Sequence, residues 1–557
     1  DPEPGQPTTI IVTAGTDTRP ATIFACFTTD GSDPTLTSPC VELDPGEILW
    51  DTLTWGYRQE WRGALPPQPE GTLVQYRIGA YTASGDILWA DQDPDTDDAP
   101  MFAYLVDRHQ SPAWLRDAVI YQIFVDRFAP GAGRSWNAVT ELDDFWGGSL
   151  RGITESLPYL ADLGVTCLWL SPIFPSPSHH GYDATDYFSV EPRLGTLEDL
   201  RALCVAAHDR GIRILLDFVA NHVSDRHPAF RHAIANPDAP ERDWFTFTSW
   251  PTSYRTFFGV STMPRLNTDH PQVRAYLIDA AQYWLLLGID GFRLDYANGP
   301  SHAFWTAFRA STQTVSSDAA LIGEVVETAE LQRSYLGRLD GTLDFLLLQQ
   351  FRAFFAFDAI TASMFDTFLR RHLGYFPATF ILPSFLDNHD MNRFLWIAQG
   401  DKRRLKLAAL CQFTLPHPPI VYYGTEVGLS QRRDLTHPDG SRRLEESRLP
   451  MLWGEEQDRD LLAYYRSLIA ARRARPSLWR GKRTTLLCDD EGLLAVKITQ
   501  GDDLAIVALN RTQARQQIQM PERLMITVAT EAGVEYVDSF LTLPPLSGAL
   551  LTGPPDQ

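Results

Sequence analysis

Over the first hundred or so residues, apolar positions alternate with polar ones in short runs such as Thr8–Thr13, Ala21–Phe27 and Leu73–Tyr81. Turn-forming clusters at Asp30–Pro34 and Ser84–Asp86 separate these runs, so residues 1–108 are expected to form an N-terminal β-sandwich. The pattern changes after Asp97–Pro100, and a new register begins near Trp114. Eight short apolar runs then stand as strand candidates: Ala118–Phe124, Thr166–Ser171, Ile212–Phe218, Gly291–Asp295, Ala320–Glu324, Thr342–Leu347, Phe380–Leu386 and Pro419–Gly424. Stretches of helical period lie between them, among them Leu150–Leu163, Leu197–Asp209 and Val273–Leu287. Repeated strand–helix units predict an α/β fold, a (β/α)8 barrel over residues 114–482. The longest insertion, about 223–267, follows the third strand and is read as a small inserted domain. Alternation returns at Leu493–Ile498 and Leu504–Asn510, which predicts a C-terminal antiparallel β-domain over 483–557.

Composition narrows the function classes. The chain has 557 residues, 44% hydrophobic and 21% charged, ordinary for a globular protein of several domains. No apolar run approaches the roughly 18 residues of a membrane span. A net charge of −22 argues against nucleic acid and anionic membranes as partners. Six Cys without a Cys-x-x-Cys pair suit neither a dense disulfide framework nor a zinc site. Cys26 and Cys40 flank a turn-rich loop and can pair in an exported protein, whereas Cys167 and Cys204 sit in apolar stretches as core thiols. The start at Asp1, without Met, fits either a removed leader or a trimmed chain, so the compartment stays open, with a secreted or periplasmic one favoured over a cytoplasmic one.

The chemistry is carried by polar residues where barrel strands should end. The third strand ends at Asp217, with Asn221 and His222 just beyond. The fourth contains Arg293 and Asp295, two apart and therefore on one side. The fifth ends at Glu324, and the seventh runs into Asn388, His389 and Asp390. Carboxylates from different strands can converge on the C-terminal rim, where barrel active sites form. Two of them about 5–5.5 Å apart suit a retaining glycosidase. Arg293 is expected to keep a neighbouring nucleophile ionised, and a third carboxylate to raise the acid. Taken singly, each residue reads as well as an ordinary ion pair at a barrel rim.

These residues resemble the alpha-amylase family, glycoside hydrolase family 13. "DFVANH" (Asp217–His222), "GFRLD" (Gly291–Asp295), "GE" (Gly323–Glu324) and "FLDNHD" (Phe385–Asp390) are similar to its four signature regions, in order. The resemblance implies Asp295 as nucleophile, Glu324 as acid/base and Asp390 as the carboxylate that grips the sugar hydroxyls. It also implies substrate-binding roles for Tyr182, His180, His222, Arg293 and His389, with Asp217 as a structural acid beside them. "MPRLN" (Met263–Asn267) is similar to the neopullulanase, cyclomaltodextrinase and maltogenic amylase branch. In that branch the N-terminal sandwich resembles a starch-binding module and often helps form a homodimer.

The implied activity is hydrolysis of α-1,4-glucosidic bonds in maltooligosaccharides, cyclodextrins, starch or pullulan. A transglycosylase using the same intermediate is the alternative, and a non-catalytic glucan-binding relative a remote one. The expected partner is an α-glucan oligosaccharide or polysaccharide. Three departures bear on the details. Gly299 stands where relatives place His or Glu, and "VVET" follows Gly323–Glu324 where a Trp is usual. The loop Arg127–Asn137 offers only Asn137 to a metal. No cofactor is therefore expected, calcium included, and Asn221 is read as a loop-holding residue. A metal hydrolase built on His179, His180 and His222 finds no support in ligand spacing.

Overall fold

The computed structural model describes residues 2–16, 20–52, 55–91, 100–108, 110–436, 440, 442–520 and 524–553. Asp97, at the expected sandwich boundary, lies outside them. The N-terminal strands form one antiparallel sheet in which the long strand Cys40–Asp51 pairs with Gly56–Leu65 on one side and Thr22–Thr28 on the other. A register shift between Pro45 and Ile48 interrupts that strand, and the sheet wraps over a core of Ile10, Ile23, Ala25, Leu43, Trp61, Leu65 and Val74. Cys26 faces Cys40 across two strands, and the pair is bridged by a disulfide. Of the sandwich tryptophans, Trp61 is core and Trp89 packs edge-on against Phe24. Trp50 and Trp55 are instead 49% and 82% exposed.

The sheet docks on the barrel's outer helices. Met101 and Ala103 pack against Ala303, and Arg309 pairs with Asp107 at 2.9 Å.

Seven parallel strands run in the order Gly341–Thr342, Ala320–Gly323, Gly291–Asp295, Arg213–Val219, Cys167–Leu170, Ile120–Ile123, Ile420–Tyr422. Parallel bridges from Ile381 to Gly341 and from Ser384 to Pro419 close the ring at the seventh position. Side-chain alternation divides the barrel into two cores. Ile120, Cys167, Trp169, Leu215, Ala320, Ile322 and Ile381 fill the inside. Phe218, Phe292, Leu294 and Leu321 face outward under the helices.

The helix Leu150–Leu163 has the predicted bounds because its ends are signalled. Ser149 accepts from the Gly152 amide, and Gly164 takes the left-handed conformation, φ 93°, at the C-terminus. The expected sixth strand, Thr342–Leu347, requires correction. Only Gly341–Thr342 is strand, and Asp344 caps a helix, Phe345–Phe351, through the Leu347 amide. An apolar run of that length reads equally as a buried strand or a buried helix, and the cap decides it.

The insertion after the third strand folds into a helix, Pro228–Ala235, and two short hairpins, Phe247–Ser249 with Ser253–Tyr254 and Thr256–Phe257 with Val260–Pro264. Beyond the barrel, a five-stranded antiparallel sheet and a three-stranded one form the C-terminal part, built on strands such as Lys482–Cys488, Leu493–Gln500 and Asp503–Asn510. Among the described residues no helix is long and apolar enough to cross a membrane.

Candidate active site

The inward columns of the barrel explain why the polar residues meet. Gln122 follows Ile120, Trp169 follows Cys167, Asp217 follows Leu215, and Glu324 follows Ile322, each by two and therefore on the same inward side. Asp217 lies level with Arg293 across neighbouring parallel strands, and Val219 level with Asp295. The apolar interior thus ends in a polar layer.

Arg293 is the hub of that layer. One guanidinium nitrogen donates to Asp217 at 2.8 Å and to Asp295 at 2.9 Å, and the other lies 2.7 Å from Glu324. Asp217 also accepts from the Trp169 indole at 3.0 Å and from the Tyr182 hydroxyl at 2.9 Å. Glu324 accepts from the Tyr296 amide at 3.1 Å. His389 is held between Gln122 at 2.7 Å and Tyr182 at 2.6 Å, and lies 3.0 Å from Asp390. Arg448 donates to Asp390 at 2.9 Å and, through Nε, to the His389 carbonyl at 2.8 Å. Above this layer opens a cavity of about 720 Å³, with Asp295, Glu324, Asp390, Tyr182, His180 and His222 on its wall. A cleft of that size, with a few convergent polar groups, suits an oligosaccharide.

A family model described as the alpha amylase catalytic domain matches residues 122–460. The chain belongs to the alpha-amylase family. It is similar to Alpha-amylase 2 of Dictyoglomus thermophilum, at 39% identity over 82% of this chain and 78% of that one. It is also similar to Neopullulanase 2 of Thermoactinomyces vulgaris, at 38% identity over 74% and 72%. Among solved structures, the cyclic alpha-maltosyl-(1→6)-maltose hydrolase of Arthrobacter globiformis superposes with a TM-score of 0.70 at 32% identity, over 80% of this chain and all of that one. The protein is therefore an alpha-amylase family glycoside hydrolase.

The site's electrostatics differ from the sequence-based expectation at one point. Arg293 was expected to hold Asp295 low. Burial instead pushes the Asp295 carboxyl well above the usual carboxylate range; Arg293 opposes the rise, but Glu324, Asp217 and Asp390 add to it. The physical reason is that one guanidinium serves three carboxylates, so the cluster stays negative. Asp390 behaves oppositely. Burial would raise it, but His389, Arg448 and Arg293 outweigh that and hold it well below the usual range. Burial lowers His180 and His222 each to about 3, so both rings are neutral at ordinary pH. His180 accepts the Tyr182 amide on Nδ1 at 3.1 Å and so shapes the loop that presents Tyr182. His222 Nε2 is buried without a hydrogen-bond partner on the cavity wall, where a sugar hydroxyl can satisfy it.

A group that must be ionised to attack fails as pH falls through its pKa. With Asp295 raised, the acid limb of kcat/KM is expected clearly above the roughly 4 of a free carboxylate. A pH–rate profile on maltotriose checks this, and an acid limb at or below about 4 would contradict a raised Asp295.

All nine residues singled out in the sequence lie in this layer or on the cavity wall. Others went unnoticed. Gln122 and Trp169 were legible as polar-tipped residues inside otherwise apolar strand runs. Arg448 ends a short 3-10 helix, Leu444–Arg448, after the last barrel strand and carries no local signal. In the insertion, Phe245 and Tyr254 pack around Phe230 as the lobe's own core. Phe257 stacks on His222 at 4.3 Å, and Phe258, 76% exposed, leans on Tyr296; these two line the cavity. The Asn221 side chain lies against Gly299, where a Cβ would meet Asn221 Oδ1 at 2.1 Å. A side chain at that position would require Asn221 or Tyr296 to shift.

Proposed function

We propose that the enzyme cleaves α-1,4-glucosidic bonds in maltooligosaccharides, cyclodextrins, starch or pullulan with retention of configuration. The observation that carries this reading is the shared guanidinium: Arg293 holds Asp295 and Glu324, from adjacent strands, at the floor of one cavity. Asp295 attacks the anomeric carbon while Glu324 gives its proton to the departing glycosidic oxygen, so one C–O bond forms as the other breaks. Glu324, now a carboxylate, takes a proton from water, and the resulting attack frees the sugar from Asp295. Asp390, held ionised by His389 and Arg448, accepts hydrogen bonds from sugar hydroxyls. Tyr182 offers its ring face to the sugar beside it. Relatives named neopullulanase and cyclomaltodextrinase support the substrate class. Product analysis on maltotriose, β-cyclodextrin, pullulan and soluble starch tests it; failure to release glucose or maltose units from all four would reject the substrate assignment.

Two further readings belong to this proposal. The enzyme works without calcium, Asn221 serving to hold the loop at Gly299. Dialysis against EDTA is expected to leave both kcat and melting temperature unchanged, whereas a drop in either that calcium restores would overturn it. Residues 1–108 act as a separate domain in substrate choice or in pairing two copies, using exposed Trp50 and Trp55. Deleting them is expected to change the oligomeric state in solution or the ratio of activity on short against polymeric glucans. No change in either would leave the domain only a stabilising part.

A further inference from the structure

The loop that follows Asp295 is pinned at both ends. Tyr296 adopts a left-handed backbone, φ 42°, which is uncommon for a bulky residue and persists only where surroundings enforce it. In that conformation its amide points at Glu324 Oε2, at 3.1 Å. The Ala297 amide donates to the Glu324 carbonyl at 2.9 Å, and the Gly299 amide closes the turn on the Tyr296 carbonyl at 2.9 Å. The outer end of this turn is gripped from the insertion. Arg265 donates from a guanidinium nitrogen to the Gly299 carbonyl at 3.1 Å.

Arg265 is itself fixed by backbone. It forms an antiparallel bridge with His222, and its amide donates to the Arg255 carbonyl at 3.0 Å. Burial acts to lower its pKa, so placing the cation there has an energetic cost. Among the described residues the ion pairs include none between Arg265 and a carboxylate. Its guanidinium donates to a main-chain oxygen. A partly buried cation spent on one carbonyl contributes little net stability, yet it sets where the turn stands.

We propose that Arg265 is a positioning residue for Glu324, acting through the turn Tyr296–Gly299; this rests on the reading of Glu324 as the proton donor. The chain of bonds runs from the Arg265 guanidinium to the Gly299 carbonyl, across the turn, and from the Tyr296 amide to the Glu324 carboxyl. With Arg265 removed, the turn loses its outer anchor, the strained Tyr296 backbone relaxes, and the carboxyl, left with Arg293 on its other oxygen, loses the amide that helps aim it at the leaving oxygen. Attack by Asp295 is untouched, because Asp295 is held by Arg293.

That separation gives the test. Arg265→Met is expected to lower kcat on maltotriose by about tenfold to a hundredfold, the scale of a small misplacement of a reacting group. On 2-chloro-4-nitrophenyl α-maltoside, whose leaving group needs no proton, kcat/KM, which reports formation of the glycosyl-enzyme alone, should stay within about twofold, whereas kcat/KM on maltotriose falls with kcat. Arg265→Lys, which keeps a cationic donor, should recover most of the loss. If Arg265→Met fails to fold, as judged by its melting curve, Arg265→Gln carries the same comparison and should show the same split between substrates. Glu324→Gln is run beside them as the reference for lost proton donation. A split in Glu324→Gln but none in the Arg265 variants overturns the Arg265 proposal alone. No split in Glu324→Gln overturns the reading of Glu324 beneath it.

Discussion

Replacing Asp295 by Asn is expected to lower kcat at least a thousandfold, about 4 kcal/mol of transition-state stabilisation, while the protein stays folded. The amide is nearly isosteric and can still accept from Arg293, so the geometry around the guanidinium survives. What it cannot do is form a stable ester with the anomeric carbon. Stability should hold or rise slightly. Asp295 is a buried carboxylate pushed up by burial and by three like-charged neighbours, so neutralising it relieves repulsion. Kinetics on maltotriose together with a melting curve check both halves. A loss below about a hundredfold, or a collapse of the fold, would contradict the role given to Asp295.

Glu324→Gln should be nearly as damaging on natural glucans, about a hundredfold to ten-thousandfold in kcat, the range that general acid catalysis supplies. The Gln side chain can keep the Tyr296 amide bond through its oxygen, so binding should change little and the loss should fall on kcat more than on KM. The loss in kcat/KM should shrink sharply on an aryl maltoside whose phenolate departs without a proton, while kcat stays low because water still needs Glu324 as its base. That dependence separates an acid from a residue that merely shapes the cavity. Equal losses in kcat/KM on both substrates would assign Glu324 a structural part.

Much of this site was legible in the chain because a barrel strand has period two. An Asp, Arg or Glu placed two residues after an inward apolar one must continue the inward column, and so Asp217, Arg293, Asp295 and Glu324 could be read together. Helix ends were legible where a cap was present, as at Ser149 and Gly164. The sixth strand was misread because Thr342–Leu347 is mostly apolar, and the capping role of Asp344 within it depends on a backbone that the pattern does not reveal.

The parts that escaped are those made at a distance. Arg448 reaches Asp390 from a 3-10 helix 58 residues on, and no periodicity links them. The Tyr296 amide and the Gly299 carbonyl are main-chain groups that every residue possesses, so only the fold makes them specific. The sign of the Asp295 shift escaped for a similar reason. The motif places one Arg beside one Asp, whereas the fold gives that Arg to three carboxylates at once.

The central claim is a double displacement through Asp295, and the configuration of the first product tests it most directly. Proton NMR of maltooligosaccharide hydrolysis, recorded within the first minutes and before mutarotation, reads the anomeric proton of the newly formed reducing end. The α-anomer should appear first and drift toward the equilibrium mixture. Initial release of the β-anomer would mean a single displacement by water, and Asp295 would then not be the nucleophile.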